Sequence, residues 1–251
     1  MGDRAISSRP SGIPGSTAKT GTAPQAAKPR ASPAFNPAAK AILDDVNLPA
    51  KAANGAVPAV SLTEDEPITQ AEITMSASRH SAETDVALNE AYKALTATLD
   101  PADKAKLVTA QKAWITFRDA ESTFAADAFR GGSLATTVLF ETNAALTEAR
   151  TADLTGWKAM RDTAGPDGPA AAKDGAAARA ATADKALNAV YKQLTPKLDA
   201  EGKAKLLGAQ RAWLAFRNAE CAFAGPAMKD AVLAEMTEAR TKQLQTALPE
   251  Y

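Results

Sequence analysis

Two stretches decide the reading of this chain: AQKAWITFRDAES at 110–122 and AQRAWLAFRNAEC at 209–221. A tryptophan, an arginine and a glutamate recur in fixed places, 99 residues apart. Extending outward, ALNEAYKALTATLDPADKAKLVTAQKAWITFRDAES aligns without gaps on ALNAVYKQLTPKLDAEGKAKLLGAQRAWLAFRNAEC, with 21 identities in 36 positions. Further on, LTEARTADL (146–154) matches MTEARTKQL (236–244) at an offset of 90, so the second copy is nine residues shorter. The deletion falls in or near DAFRGGSLATT, residues 127–137. Repetition at this length marks duplicated domains rather than a solenoid of short units.

Each copy reads as helices. Leu88, Tyr92, Leu95 and Leu99 share one face at steps of four, three and four. Asp100-Pro101 suits a helix start, with Asp100 as the cap, Pro101 in the first turn and Asp103 facing the positive helix end. Leu107, Trp114, Phe117 and Phe124 stripe the next helix. Gly131-Gly132 breaks it, and Ser133 caps a third carrying Leu139, Leu146, Leu154 and Trp157. The stretch 68–85 runs into the first helix. The predicted fold is all-α: two tandem antiparallel bundles of three to four helices each. Expected boundaries are a Pro/Ala/Ser-rich arm at 1–62, copy one at 63–162, a linker at 163–172 and copy two at 173–251. The arm has few large apolar residues and is expected to stay disordered. The alanine-rich composition, with only 5% aromatics, favours close helix packing.

Composition narrows the function classes. The formal net charge is zero, which gives no overall field for nucleic acid. It conceals a gradient: residues 1–63 carry 7 bases and 3 acids, 64–162 carry 10 and 16, and 163–251 carry 12 and 10. The acidic middle suits a basic protein partner or a plain solvated surface. No stretch is apolar for the roughly 18 residues that suggest a transmembrane helix. The first residues lack an apolar signal core, which leaves residence in the cytoplasm, another export route or a start further upstream as expectations. One histidine, His80, and one cysteine, Cys221, supply neither a His-rich zinc site nor an intrachain disulfide. No metal and no cofactor are expected. His80 reads as a surface residue.

The series LNxxYKxL, AQxAWxxFRxAE, GGS and LTxxRTxxL resembles the lysozyme inhibitor LprI N-terminal-like domain family. The resemblance spans about 68–161 and, less completely, 184–247. It implies a bacterial, exported or periplasmic, non-enzymatic protein that binds and inhibits lysozyme. The family tends to carry paired cysteines. Here Ser76, Ser122 and Thr142 stand at such positions in copy one, and Val232 stands near the place of Cys221's partner. These losses, with the absent signal core, run against the family's usual location.

Two functions follow. One is inhibition by occlusion, in which an acidic helical domain is steered to a basic lysozyme and a loop blocks its cleft. The other is a helical interaction or scaffold module with no enzyme target. The candidate contacts are Asp127, Arg130, Gly131, Gly132 and Ser133, because copy two dispenses with this segment and dispensable loops can carry contacts. The repeated polar set reads as a network fixing helix register: Asn89, Gln111, Arg118, Glu121, Thr147 and Arg150 in copy one, and Asn188, Gln210, Arg217, Glu220 and Arg240 in copy two. Tyr92, Trp114, Phe117, Trp157, Tyr191, Trp213 and Phe216 read as core aromatics. No catalytic set converges.

Overall fold

The structure, a computed structural model, describes residues 69–164 and 175–250. All regular structure among these residues is helical. Copy one forms α1 (Gln70–Thr96), α2 (Pro101–Asp127) and α3 (Leu134–Ala164). Copy two forms α4 (Ala176–Leu194), α5 (Ala200–Ala224) and α6 (Lys229–Ala247), with short 3₁₀ turns at Thr195–Lys197 and Leu248–Glu250. The arm expected at 1–62 lies outside the described residues. So does the expected linker, apart from Thr163 and Ala164, which end α3.

The helix starts follow from their local chemistry. Thr69 and Glu72 close a capping box on α1: Glu72 N–H donates to the Thr69 hydroxyl, and Thr69 N–H donates to Glu72 Oε2 at 2.8 Å. Asp100 caps α2, accepting from Asp103 N–H at 2.8 Å, and Pro101 fills the first turn as its spacing predicted. Asp199 does the same for α5 through Gly202 N–H at 2.8 Å. Between α2 and α3, Gly131 takes φ +84°, a left-handed conformation that a side chain would strain.

The helices pack in a row. α1 lies on α3, α3 on α2, α2 on α5, α5 on α6 and α6 on α4. The central pair, α2 with α5, joins the two copies. These helices run antiparallel, since the end of α2 at Asp127 meets the start of α5 at Gly202. There, a Cβ on Gly202 would come within 3.0 Å of Asp127 Oδ2. Each copy contributes three helices, and the six share one interior. Leu88, Leu107, Trp114 and Phe117 belong to the same apolar cluster as Leu187, Leu206, Trp213 and Phe216. Phe117 and Phe216, equivalent residues of the repeat, stack with ring centroids 6.1 Å apart and planes 11° from parallel. They mark a local two-fold relation between the copies. Such a ring pair adds about 0.5–1.5 kcal/mol beyond burial of its area. Tyr92 and Tyr191 are half-buried against this core.

Candidate functional site

Three features compete for function: the buried polar network, the turn at 128–133 and a groove between α3 and α6.

The network follows the two-fold relation. Arg150 donates from Nε to its own copy's Gln111 Oε1 at 3.0 Å and places Nη1 2.9 Å from Glu220 of the other copy. Arg240 mirrors it, donating to Gln210 Oε1 at 3.1 Å and placing Nη1 2.8 Å from Glu121. Each guanidinium also lies over the other copy's phenylalanine, Arg150 over Phe216 at 5.2 Å and Arg240 over Phe117 at 5.4 Å. Both arginines are 1% exposed. These four charges are therefore exchanged between copies and fully buried. A second pair stays within each copy. Arg118 binds Asp85 at 2.9 Å and covers Trp114, while Arg217 binds Asp184 at 2.8 Å and covers Trp213. Thr147 is buried and donates to Asn143 O.

Two members expected in this network lie outside it. Asn188 is exposed and donates to Asp184 O in its own helix, and Asn89 is half-buried with no network contact. The carboxylates one turn earlier, Asp85 and Asp184, bind the arginines Arg118 and Arg217 in their place. Those two aspartates are the members that sequence reasoning missed.

The structure corrects one residue of the turn. Asp127 is not presented to a partner: its side chain is 1% exposed. Arg130 Nη2 lies 2.6 Å from it, and Lys205 of copy two pairs with it. Burial alone would raise the Asp127 pKa, but Arg130 and Lys205 together hold it below the usual carboxylate range. Arg130 is shared with Asp199 and Glu201 at 2.9 and 3.0 Å. Hydrogen bonds from Arg130 and from Gly202 N–H hold Asp199 down to about 2. Asp127 thus anchors the turn to the start of α5, and Gly131, Gly132 and Ser133 stand exposed above it.

The groove has a volume of about 670 Å³, with Trp114, Phe117, Trp213 and Phe216 along its floor and small residues such as Ala149 and Ala239 on its walls. Asp153 and Glu235 face it from opposite helices. Asp153 is exposed at the rim, yet the walls strip enough water from it to push its pKa up to about 6. Arg150 opposes that rise, and Glu220 and Glu235 add to it. Because the folded pKa lies above the ordinary value, the native state holds the proton more tightly, and stability falls as pH rises from about 4 to 6. D153N is therefore expected to be the more stable protein at neutral pH by up to about 1 kcal/mol, discounted for the open edge. This advantage disappears below about pH 4. Urea unfolding of both proteins at the two pH values checks it.

His80 lies on the surface, 3.2 Å from Glu148. Cys221 is buried, which raises its thiol pKa, and its Sγ lies 3.8 Å from Lys229 O. Ser122, its equivalent, donates instead to Arg118 O. No helix among the described residues is long and apolar enough to cross a membrane. No group of three or more His, Cys, Asp or Glu side chains among them is placed to hold a metal ion.

Comparison with known proteins agrees with the repeat. The family model described as Lysozyme inhibitor LprI matches the chain twice, at residues 63–154 and 159–244. No curated protein matches it. Among solved structures, an uncharacterised protein from Burkholderia thailandensis matches with a TM-score of 0.56 and 18% identity. The match covers 71% of this chain and 87% of that one, a likeness of fold alone.

Proposed function

Because the chain belongs to the lysozyme inhibitor LprI family, we propose that it is a non-catalytic inhibitor of a lysozyme-type glycan hydrolase, acting by occlusion. The family match over both copies carries this reading. The turn at 128–133 supplies the contact: Gly131, Gly132 and Ser133 project from a base that Asp127, Arg130 and Lys205 lock in place. A turn held in one conformation before binding loses little entropy on docking. Asp199 and Glu201, exposed beside Arg130, present carboxylates that favour a basic enzyme. Asp127 acts as the anchor of the turn rather than as a contact.

The test is a turbidity assay of cell-wall lysis by a c-type lysozyme, with the full chain added. Inhibition is expected, and S133R is expected to weaken it about tenfold or more, the equivalent of 1.4 kcal/mol, while leaving helicity intact. Full inhibition by S133R would remove the turn from the mechanism. No inhibition by the unaltered chain would favour the interaction-module reading.

A further inference from the structure

The two-fold relation between the copies makes the groove a built-in comparison, because its two halves derive from one ancestral sequence. The elements needed for folding appear in both halves: an arginine, a tryptophan and a stacked phenylalanine. The half lined by the C-terminal part of α3 holds more. Asp153, Trp157 and Glu235 stand there, and the matching positions in the other half are Gln243, Ala247 and Ala145. Trp157 is packed edge-on against Phe223 and donates to Glu220, but the fold manages without the two carboxylates in one half, so packing alone does not account for Asp153 and Glu235 in the other.

Their chemistry has one sign. Arg150 and Arg240 are each committed to a carboxylate, Glu220 and Glu121 respectively. Asp153 and Glu235 are left in surplus. Among the described residues, Glu235 pairs only with Arg179, at 3.9 Å, and Arg179 is held closer, at 2.7 Å, by Glu238. Beneath them, Glu220 is 3% exposed; its Oε1 accepts from Trp157 Nε1 at 2.7 Å, and its Oε2 has no hydrogen-bond partner among the described residues. A buried carboxylate oxygen without a donor is costly, and a donor entering from the groove relieves that cost. Unpartnered Nη2 atoms on Arg150 and Arg240 could suit an anion, but the surplus acids repel one. Beside the acids, Met160 and Met228 offer deformable apolar walls.

We propose that this half of the groove binds a basic side chain, arginine or lysine, of a partner protein, with an adjacent apolar side chain on the methionine wall. The cation sits between Asp153 and Glu235, against the indole of Trp157, which adds attraction from the ring face. The site goes beyond the inhibitor reading and does not depend on the turn. Along α3, at 1.5 Å per residue, Asp153 lies roughly 30 Å from Ser133.

The full chain is titrated with N-acetyl-leucyl-arginine amide and with its uncharged isostere, N-acetyl-leucyl-citrulline amide, following the Trp157 indole N–H signal by NMR. Saturable shifts are expected with the arginine probe, and binding about tenfold or more weaker with citrulline. The D153N/E235Q double variant, changed only at the rim, is expected to lose a similar factor, whereas S133R binds as the unaltered chain does. Binding should also weaken from about pH 7.5 to about pH 5, as Asp153, faced by Arg150, Glu220 and Glu235, takes up a proton. Equal binding of the two probes, unchanged binding by D153N/E235Q, or no saturable shift with arginine would each overturn the site. A failure here leaves the lysis assay unaffected, and a failure of inhibition leaves this titration unaffected.

Discussion

R150M is expected to lower the stability of the folded chain by about 3–5 kcal/mol, the cost of stranding a buried carboxylate without its partner. The stranded group is Glu220, 3% exposed and, among the described residues, held otherwise only by the Trp157 indole. Gln111 also loses the donor that Arg150 Nε supplies to its oxygen. The effect reaches both copies, because the arginine and the glutamate belong to different ones. Removing both charges should cost much less. R150M/E220M replaces the pair by apolar groups of comparable reach, and such exchanges are often close to neutral. A double-mutant cycle in urea therefore separates the cost of a stranded charge from the worth of the pair. The mirror pair supplies an internal control: R240M strands Glu121 at the equivalent place and should behave alike. A loss below about 1 kcal/mol for both single variants would mean that water reaches these carboxylates and the network is not a buried lock.

That network shows how far the sequence could be read. Gln111, Arg118, Glu121 and Arg150 recur in copy two at helical spacing, and buried charges demand partners, so a register-fixing network followed directly. The choice of partner did not. Since each copy has the same residues, Arg150 paired with Glu121 and Arg150 paired with Glu220 are identical in pattern. Only packing of α2 on α5 selects the second. Asp85 and Asp184 carried a legible signal, repeated at the same 99-residue offset, but a repeat begun at Ala87 leaves them out. Asp127 misled for another reason: a carboxylate beside a Gly-Gly turn looks exposed, and its burial comes from Lys205, 78 residues away. The groove was illegible because α2, α3, α5 and α6 all line it, and its distinguishing residues are those the copies do not share.

Cutting the chain between the copies is the second large-effect experiment. Neither copy is expected to survive as a folded monomer. Residues 69–164 alone would expose Trp114 and Phe117, which the whole chain buries to within 5% exposure, and would leave Arg150 without a carboxylate partner from copy two. The fragment does, however, contain everything that the two-fold relation requires: Gln111, Phe117, Glu121 and Arg150. Two fragments can meet through α2 as α2 now meets α5, with each Arg150 reaching the other's Glu121. An isologous dimer of this kind is the commonest closed assembly. Light scattering should therefore give a dimer mass at high concentration, and the thermal midpoint should rise with concentration, as expected when folding and association are linked. R150M should abolish both behaviours in the fragment, since it removes both crossed pairs at once. Mixing the two copies as separate chains should restore the native pairs, Arg150 with Glu220 and Arg240 with Glu121, and give a heterodimer more stable than the copy-one homodimer, because Gly202, which leaves room for Asp127 at the start of α5, is matched in copy one by Asp103, whose carboxylate would crowd and repel Asp127 there. A monomeric fragment with a sharp, concentration-independent transition would show instead that each copy closes its own core, and that the exchanged charges add little to holding it.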